Sequence, residues 1–252
     1  MNQGQQTVAA PGVPRAVWKT SEVVAFAVVR DIVEHGLRSG DRLPLEADMV
    51  GQYGVSRESL REALRLLEAQ GIVTIRRGPG GGPLVGEASS LNLARTMTLY
   101  FQLAGATYDE LLVAWKLLEP LAAELAAQNA DRAAVADALT THTERFDDGG
   151  QVEAYQRHSN SLHFDVIELS ANRVLSLVVG AIGDIIRTHV IPRLDPFEMR
   201  DLIDDDHAAV AEAVLAGDAP GASAAMRDHI ERLDPYYRNN WDGDLADVIE
   251  WK

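Results

Sequence analysis

The stretch "VSRESLREALRLLEAQGIVTIRRGPGGG", residues 55–82, decides the fold that the chain is expected to adopt. Ser56 suits the N-cap of a helix. A stripe of apolar side chains follows at helical spacing: Leu60, Ala63, Leu64 and Leu67. After Gly71 the period changes to the alternation of a strand, at Val73 and Ile75, and then reaches a glycine-rich turn. The stretch therefore predicts a helix followed by a β-hairpin.

Two more helices are predicted upstream of this stretch. The first has apolar residues at helical spacing: Val24, Val28, Ile32 and Val33. It should stop between Gly36 and Gly40, and Pro44 suits the entry of a short second helix that ends between Gly51 and Gly54. Three helices followed by a hairpin is the order of a winged helix-turn-helix.

The rest of the chain predicts helices. At 252 residues it is long enough for two modest domains, and its 46% hydrophobic but only 6% aromatic composition favours helices over sheets. Seven further helices with short connections are predicted, at residues 91–105, 108–129, 133–147, 152–170, 174–194, 196–216 and 219–233. The predicted fold is therefore mainly α: an N-terminal winged helix-turn-helix followed by an all-α antiparallel helical bundle.

Changes in composition predict four segments along the chain. Residues 1–17 lack a hydrophobic period and should form a flexible tail. The winged helix-turn-helix should span residues 18–86, ending at the polar, glycine-led "GEASSLN". The helical domain should span residues 87–236, and residues 237–252 should form a C-terminal tail.

The charge distribution bears on a nucleic-acid partner. The net charge of −15 argues against one, because phosphate groups are bound by Lys and Arg. However, residues 18–86 hold nine basic and nine acidic residues, so the acidic excess lies entirely outside this segment. The predicted winged domain is therefore compatible with DNA.

The absence of cysteine excludes disulfides, thiolate chemistry and cysteine-based zinc sites. The N-terminus lacks the basic start and apolar core of a secretory leader, and no apolar run is expected to be long enough to span a bilayer. The expectation is a cytoplasmic protein without a membrane partner.

Arginines define a second face of the third helix. Arg57, Arg61 and Arg65 recur at four-residue steps, so they should line one face, away from the leucines. A major groove about 12 Å wide accepts a helix of about 10–12 Å. Ser56 and the free N–H groups of the first turn suit a phosphate, and an arginine suits guanine. The pattern favours insertion of this helix into the major groove.

Two other interpretations apply to the same segment. Glu58 and Glu62 would pair with the arginines if the helix were only a solvated surface element. A phosphate-binding loop is disfavoured, because the glycine run lacks the Lys-Ser/Thr ending and does not lead from a strand into a helix. In the DNA-binding interpretation, Arg76 and Arg77 before the hairpin tip would lie along the adjacent backbone or minor groove.

Residues 40–85, "GDRLPLEADMVGQYGVSRESLREALRLLEAQGIVTIRRGPGGGPLV", resemble the DNA-binding domain of the GntR family of bacterial transcription regulators, in its FadR-type branch. The shared pattern is G-D-R-L-P-x-E, G-V-S-R and R-E-A-L-x-x-L-x-x-x-G before a glycine-rich wing. The resemblance implies that these residues lie at the DNA: Arg42, Ser56, Arg57, Ser59, Arg61, Arg77 and Gly78. Many members have Arg where this chain has Ala47, so its operator sequence is not expected to copy that of relatives.

Three histidines of the helical domain form a candidate metal site. His207 and His229 are 22 residues apart, with Gly217 and Asp218 midway. Two antiparallel helices that turn there would bring both imidazoles to the same level, and a third helix would deliver His163. Three imidazoles suit a divalent transition metal such as Zn(II) or Ni(II). Taken singly, each histidine would more often be an ordinary side chain than a ligand.

The same half of the chain, residues 91–233, resembles the FCD ligand-sensing domain. One matching pattern begins at Leu162-His163 and runs on to Ser170-Ala171-Asn172, where the family pattern has S-G-N. A second begins at His207, and a third ends at His229. Metal-binding relatives carry Asp four residues before the first His, where this chain has Ser159, so an empty polar pocket is the alternative to a metal. The predicted effector-binding residues are Lys116, Ser159 and Asn172, and Lys116 lies ahead of Glu119 in the sequence.

The expected function is a homodimeric, metabolite-responsive repressor. It would bind a palindromic double-stranded DNA operator, and its helical domain would dimerise and bind a small carboxylate or acyl effector without any catalytic residue. One alternative is a metal-dependent hydrolase that uses the three histidines, with Glu168 or Asp206 as general base. Another is an architectural DNA-binding protein with an inert dimerisation domain.

Overall fold

The computed structural model describes residues 18–78, 80–147, 149–193, 195, 197–241 and 243–251. The N-terminal tail predicted at residues 1–17 lies outside the described residues. The chain divides into two compact units between Ser89 and Ser90. They are named the N-terminal unit and the helical unit below, and the boundary predicted from the sequence lies after residue 86.

The N-terminal unit contains three helices and a two-stranded sheet. Its elements are α1 (Thr20–Glu34), α2 (Glu46–Tyr53), α3 (Arg57–Ala69), β1 (Val73–Arg76) and β2 (Gly82–Val85). The strands are antiparallel, with Val73 opposite Val85. Gly54, in the left-handed conformation with φ +63°, ends α2 and allows the sharp turn into α3. The predicted winged helix-turn-helix order is confirmed.

Leucines fix the orientation of α3. Leu60 and Leu64 are buried against Val24 and Val28 of α1, and the strands of the hairpin close the same core. The Ser56 side chain accepts a hydrogen bond from the Ser59 N–H at 3.1 Å and thereby caps the helix as the sequence predicts. The leucine face therefore turns inward, and the opposite face of α3 is left exposed.

The helical unit contains seven α-helices among its described residues. They are α4 (Ser90–Ala104), α5 (Tyr108–Ala127), α6 (Arg132–Leu139), α7 (Val152–Leu169), α8 (Arg173–Ile185), α9 (Arg200–Ala216) and α10 (Ala219–Asn240). Helix α10 packs along α5 and α9, and α4 packs along α8. Buried side chains from several helices share one core, including Leu112, Leu162, Val210 and Met226. The predicted all-α bundle is confirmed.

Two predicted α-helices change to other helical turns earlier than expected, and at each change a threonine side chain bonds to the backbone. The helix predicted at 133–147 stops at Leu139 and gives way to a 3-10 turn, Thr140–His142, where the Thr140 hydroxyl donates to the Ala136 carbonyl at 2.6 Å. The helix predicted at 174–194 changes at Ile186–Val190 into a π turn, and then into a 3-10 turn, Ile191–Arg193. There the Thr188 hydroxyl donates to the Asp184 carbonyl at 2.7 Å.

The helix predicted at 196–216 begins instead at Arg200. The C-terminal bound also differs from the prediction. Helix α10 continues to Asn240, so residues 237–240 belong to it and not to a tail. The described residues 243–251 pack onto the bundle, with Ile249 only 1% exposed and its N–H donating to the Ala106 carbonyl at 2.9 Å.

The expectation that no apolar run reaches membrane-spanning length was wrong. Residues 173–193 are long and apolar enough by composition alone, with a mean hydropathy of 1.7 in their most apolar window. However, 56% of that window is buried inside the bundle, as in the core helix of a soluble protein. The apolar composition of α8 is explained by its contacts with the rest of the helical unit, through residues such as Val179 and Ile185.

Candidate functional site

The basic face of α3 lies on the surface of the N-terminal unit. Arg57, Arg61 and Arg65 are all exposed, whereas Leu60 and Leu64 on the opposite side are buried. Among the residues that the structure describes, Arg57 and Arg65 form no ion pair. The first turn of the helix also has free N–H groups beside Ser56, so the exposed end of α3 offers both guanidinium groups and backbone donors to an anion.

Arg61 has a partner, but not one of those expected for an isolated surface helix. Its Nε lies 2.9 Å from Glu46 Oε2, so the pair links α3 to α2. Pairing with Glu58 or Glu62, the alternative drawn from the sequence, is not observed among the described residues. Because both partners are solvent-exposed, the pair contributes little to stability and is readily exchanged for another anion.

The wing is held to the body of the N-terminal unit by Arg42. Its Nη1 donates to the Gly80 carbonyl at 2.8 Å, and its backbone forms an isolated antiparallel bridge with Leu84 of β2. Arg77 and Gly78 are exposed in the turn after β1, with Gly78 at φ +96°. Gly81 is required there, because a Cβ would lie 2.2 Å from the Arg76 carbonyl oxygen. The structure thus gives Arg42 a positioning role in addition to its predicted place at the DNA.

The helical unit brings together the three histidines predicted from their spacing. His163 comes from α7, His207 from α9 and His229 from α10, and their candidate ligand atoms all lie within 4.8 Å of one another. The Nε2 atoms of His207 and His229 are 3.2 Å apart. The predicted pairing across the turn at Gly217 is therefore confirmed.

Buried carboxylates orient two of these imidazoles. Glu119 Oε2 lies 2.5 Å from His163 Nδ1, while its other oxygen accepts a hydrogen bond from Trp115 Nε1. Asp206 Oδ2 lies 3.4 Å from His229 Nδ1. Since the Nδ1 atoms of both histidines face carboxylates, their Nε2 atoms are left to point into the cluster. Carboxylate-supported histidines of this kind are typical of metal sites.

The electrostatics of the cluster also fit a metal. Burial lowers the pKa of His207 well below its usual value, and the neighbouring imidazoles lower it further. Burial likewise lowers the pKa of His229, against an opposing effect of Asp206. Neutral imidazoles have the lone pair that a cation requires. Two nitrogens bound tetrahedrally at about 2.0–2.1 Å from Zn(II) lie about 3.3 Å apart, close to the observed separation.

A cavity of about 70 Å³ adjoins the cluster. Besides the three histidines, its wall includes Trp115, Ser159, Asn160, Arg187 and Tyr237. Since about 10–15 Å³ holds one water, the space suits a ligand of only a few heavy atoms. Of the three predicted effector-binding residues, only Ser159 lines it.

Lys116 and Asn172, the other two, lie outside the cavity. Lys116 pairs with Glu231 at 3.0 Å on the surface. Asn172 caps α8, where its side chain accepts hydrogen bonds from the Val174 and Leu175 N–H groups. Both side chains are thus engaged elsewhere, and the structure does not bring these two residues to the cavity beside the histidines.

Arg187, the one arginine or lysine among the described residues that line the cavity, is not among the residues predicted from the sequence. Nor are Glu119 and Asp206 predicted there as supports of the histidines. A signal was present for Arg187, because Asp184 and Arg187 are an isolated charged pair in the apolar run at the end of α8. Glu119 follows Trp115 by one helical turn, but nothing in the sequence shows that this face of α5 meets His163.

Comparison with known proteins identifies the family. The pattern described as "Bacterial regulatory proteins, gntR family" matches residues 20–81, and the FCD domain pattern matches residues 110–232. A regulatory protein named for the L-lactate dehydrogenase operon of Escherichia coli (strain K12) is 30% identical over 230 residues, covering 84% of each chain. The chain belongs to the GntR family of bacterial regulatory proteins. It is accordingly a DNA-binding transcription regulator with an FCD ligand-binding domain.

Other relatives of this GntR-family chain agree. The HTH-type transcriptional repressor NanR of Citrobacter rodentium (strain ICC168) is 25% identical over 232 residues, covering 87% of this chain and 86% of that protein. The solved structure of Streptococcus agalactiae GntR has the same fold, with a TM-score of 0.64 and 22% identity over 84% of this chain and 98% of that one. The GntR family and the two relatives named here for a regulatory role are transcription regulators.

Proposed function

We propose that this GntR-family protein is a cytoplasmic, metabolite-responsive repressor that releases its operator when a small organic acid enters the FCD cavity. The observation that carries the proposal is the outward arginine face of α3, on a helix whose leucines hold it in the N-terminal unit. Ser56, Arg57 and Ser59 would meet phosphates and bases at the start of the helix. Arg61 would exchange Glu46 for the DNA, and Arg77 and Gly78 would approach the minor groove.

The proposal includes a homodimer on a palindromic operator, and exposed apolar faces of the helical unit support it. Val113, Leu117 and Leu121 recur at four-residue steps along α5, and Leu117 is 69% exposed. Val174 and Val178 extend an exposed apolar face on the neighbouring α8, which packs on α5 through Ala122 and Val179. Two copies that bury this surface against each other would present two α3 helices to two half-sites.

The three histidines would hold a divalent transition metal such as Zn(II) or Ni(II), with Glu119 and Asp206 orienting His163 and His229. Such an ion, when bound, supplies a positive charge that attracts a carboxylate. Ser159, where metal-binding relatives have Asp, leaves room for an oxygen of the effector. The small cavity favours a short acid over a long acyl chain, and the relative named for an L-lactate dehydrogenase operon points to the same class.

A hydrolase is the weaker candidate, and we propose that the protein is not an enzyme. Glu168 is exposed and does not line the cavity. Asp206 is held between His229 and Arg232, the latter at 2.6 Å. Glu168 is therefore too far from the cavity, and Asp206 is already engaged by two partners, to activate a water beside the histidines.

Fluorescence anisotropy with DNA duplexes tiled across the regions flanking the gene tests the proposal. We expect salt-dependent binding of one duplex by two subunits, weakened by a small carboxylic acid, with the effect of the acid reduced after chelation. Absent or salt-insensitive binding would contradict a DNA-binding repressor. Binding that no acid or chelator alters would favour the architectural alternative, and turnover lost in His207→Ala would favour the hydrolase.

A further inference from the structure

Arg187 occupies a distinctive place in the helical unit. It lines the cavity beside the histidines and also an adjoining surface groove with Arg157, Asn160 and Phe164. Its side chain is 38% exposed, and Nη2 lies 2.9 Å from Asp184 Oδ1. A ligand that passes from the groove to the histidines would therefore meet a cation at the boundary between the two.

The backbone at Arg187 is unusual as well. Residues Ile186–Val190 form a π turn at the end of α8, and the Thr188 hydroxyl donates to the carbonyls of Asp184 and Ile185 at 2.7 and 3.2 Å. A π turn is less favourable than a regular helix and frequently occurs at functional sites. It rotates the following side chains relative to a continuous α-helix.

The partner of Arg187 connects the cavity to the start of α4. Asp184 is buried, with its side chain 5% exposed, and its second oxygen accepts a hydrogen bond from the Ser90 hydroxyl at 2.6 Å. Ser90 is the first residue of α4 and of the helical unit. A Cβ on Gly180 would lie 2.9 Å from the Ser90 Cβ, so the glycine lets the start of α4 approach α8 closely.

We propose that Arg187 recognises the carboxylate of the effector and exchanges Asp184 for it, which releases the hold of Asp184 on Ser90. The inference rests on the proposed function, since it takes the cavity as the effector site. Arg187 forms bidentate, charge-assisted bonds with a ligand carboxylate. Asp184 then loses its cationic partner, and because an unpaired buried carboxylate is unfavourable, it reorients toward water.

The exchange couples the effector to the connection between the two units. A ligand shifts a conformational equilibrium only by its different affinity for the two states. Here the difference lies in the Asp184 side chain, which holds Ser90 in one state and not in the other. Ser90 follows directly on the N-terminal unit in the chain, so its release changes the segment through which that unit is attached.

The first test measures recognition in the full-length protein. Acetate, L-lactate, malonate, succinate and citrate are titrated at millimolar concentrations, with lactamide and succinamide as uncharged controls, and Tm and calorimetric binding are recorded. We expect at least one acid to bind the wild type, Arg187→Gln to weaken it at least about tenfold, and Arg187→Lys to weaken it less. Arg157→Gln, which removes the same charge from the groove, serves as the matched control and should change affinity less than twofold.

The second test needs no ligand. Hydrogen exchange of the backbone N–H groups at the start of α4 should be several-fold faster in Arg187→Gln than in the wild type, and unchanged in Arg157→Gln. If Arg187→Gln is poorly folded, the double variant with Asp184→Asn removes the unpaired charge and should still lose acid binding. Equal acid affinity in Arg187→Gln and wild type, no binding of any of the five acids, or unchanged exchange in α4 would each overturn the inference.

The outcomes separate this inference from the proposed function. If an acid releases DNA equally from the wild type and Arg187→Gln, the repressor stands and the role of Arg187 falls. If an acid binds through Arg187 but the protein does not bind DNA, the recognition stands and the repressor falls.

Discussion

The two units of the chain use charged residues in opposite ways. On α3 of the N-terminal unit, the arginines are exposed, and only Arg61 has an ion-pair partner within the described residues. In the helical unit, Glu119, Asp184 and Asp206 are buried, and each is held by at least two partners. Exposed, loosely held charge suits a polyanion, whereas buried, fully bonded charge fixes the geometry of a small site. The difference indicates which unit meets DNA and which meets a small molecule.

The contrast between the two units should be lost most completely in a variant that removes a buried leucine of α3, because these leucines keep the arginine face outward. Leu64→Ala deletes a buried side chain of α3 and should lower the free energy of unfolding of the N-terminal unit by about 2–5 kcal/mol. Leu66→Ala on the same helix is the matched control, because Leu66 is 39% exposed, and it should cost much less. Denaturant unfolding followed by circular dichroism measures both variants, and equal losses would contradict the inferred packing of α3.

The exposed charges themselves are tested by affinity for the operator. Arg61→Ala should weaken binding by about 1–3 kcal/mol if this side chain leaves Glu46 to read a base. Arg65→Ala should instead weaken binding uniformly across sequences and reduce the salt slope by about 1, as expected for a phosphate contact. Arg173→Ala, an exposed arginine of the helical unit, is the control and should leave anisotropy titrations unchanged.

The buried charges are tested by pH in the metal-free protein. Because burial lowers the pKa of His207 and His229 in the folded state, the unfolded chain binds protons there first as pH falls below about 6.5. The contribution of each histidine is complete above that pH and is lost at up to about 1.4 kcal/mol per pH unit below it. Urea unfolding at several pH values should show a shallower acid loss in His207→Leu than in the wild type. Parallel curves would show that His207 is not neutral when folded.

The smallest effect concerns a strained residue between α7 and α8. Ala171 has φ +53°, a left-handed conformation that costs a non-glycine residue about 1–2 kcal/mol, at the position where the family pattern has glycine. After allowance for the greater freedom of glycine in the unfolded chain, Ala171→Gly should stabilise the helical unit by about 0.5–1 kcal/mol. Thermal unfolding measures the change. Ala133→Gly, at an exposed position of α6, is the control and should destabilise the helical unit. A lower Tm for Ala171→Gly would contradict the strain.

Features set by local chemistry were predictable from the sequence. The cap at Ser56, the leucine period and the glycine-rich wing each follow from neighbouring residues, and together they predict the winged helix-turn-helix. The meeting of His207 and His229 was predictable for the same reason, because a turn lies midway between them.

Features set by packing between distant helices were not predictable. Lys116 is adjacent to Trp115, which lines the cavity, but one residue turns a helix by about 100° and directs Lys116 toward Glu231 on the surface. Arg187 enters the cavity wall within a π turn, which no sequence period indicates, although its isolated charge in an apolar run marks the residue as unusual. The early end of α6 coincides with a hydrogen bond from the Thr140 side chain to the Ala136 carbonyl, which no period of apolar residues reveals.

The hydrogen bond from Arg42 to the Gly80 carbonyl has a consequence for the speed of operator search. A free glycine-rich turn would sample many backbone conformations, and it would lose this conformational entropy on binding DNA. The hydrogen bond orders the turn before DNA is met, so the entropy is lost during folding and not during binding. A larger fraction of encounters with DNA should then lead to docking of the wing. Arg42→Gln removes this hydrogen bond and should therefore slow association with the operator, in addition to any effect of a lost DNA contact on dissociation.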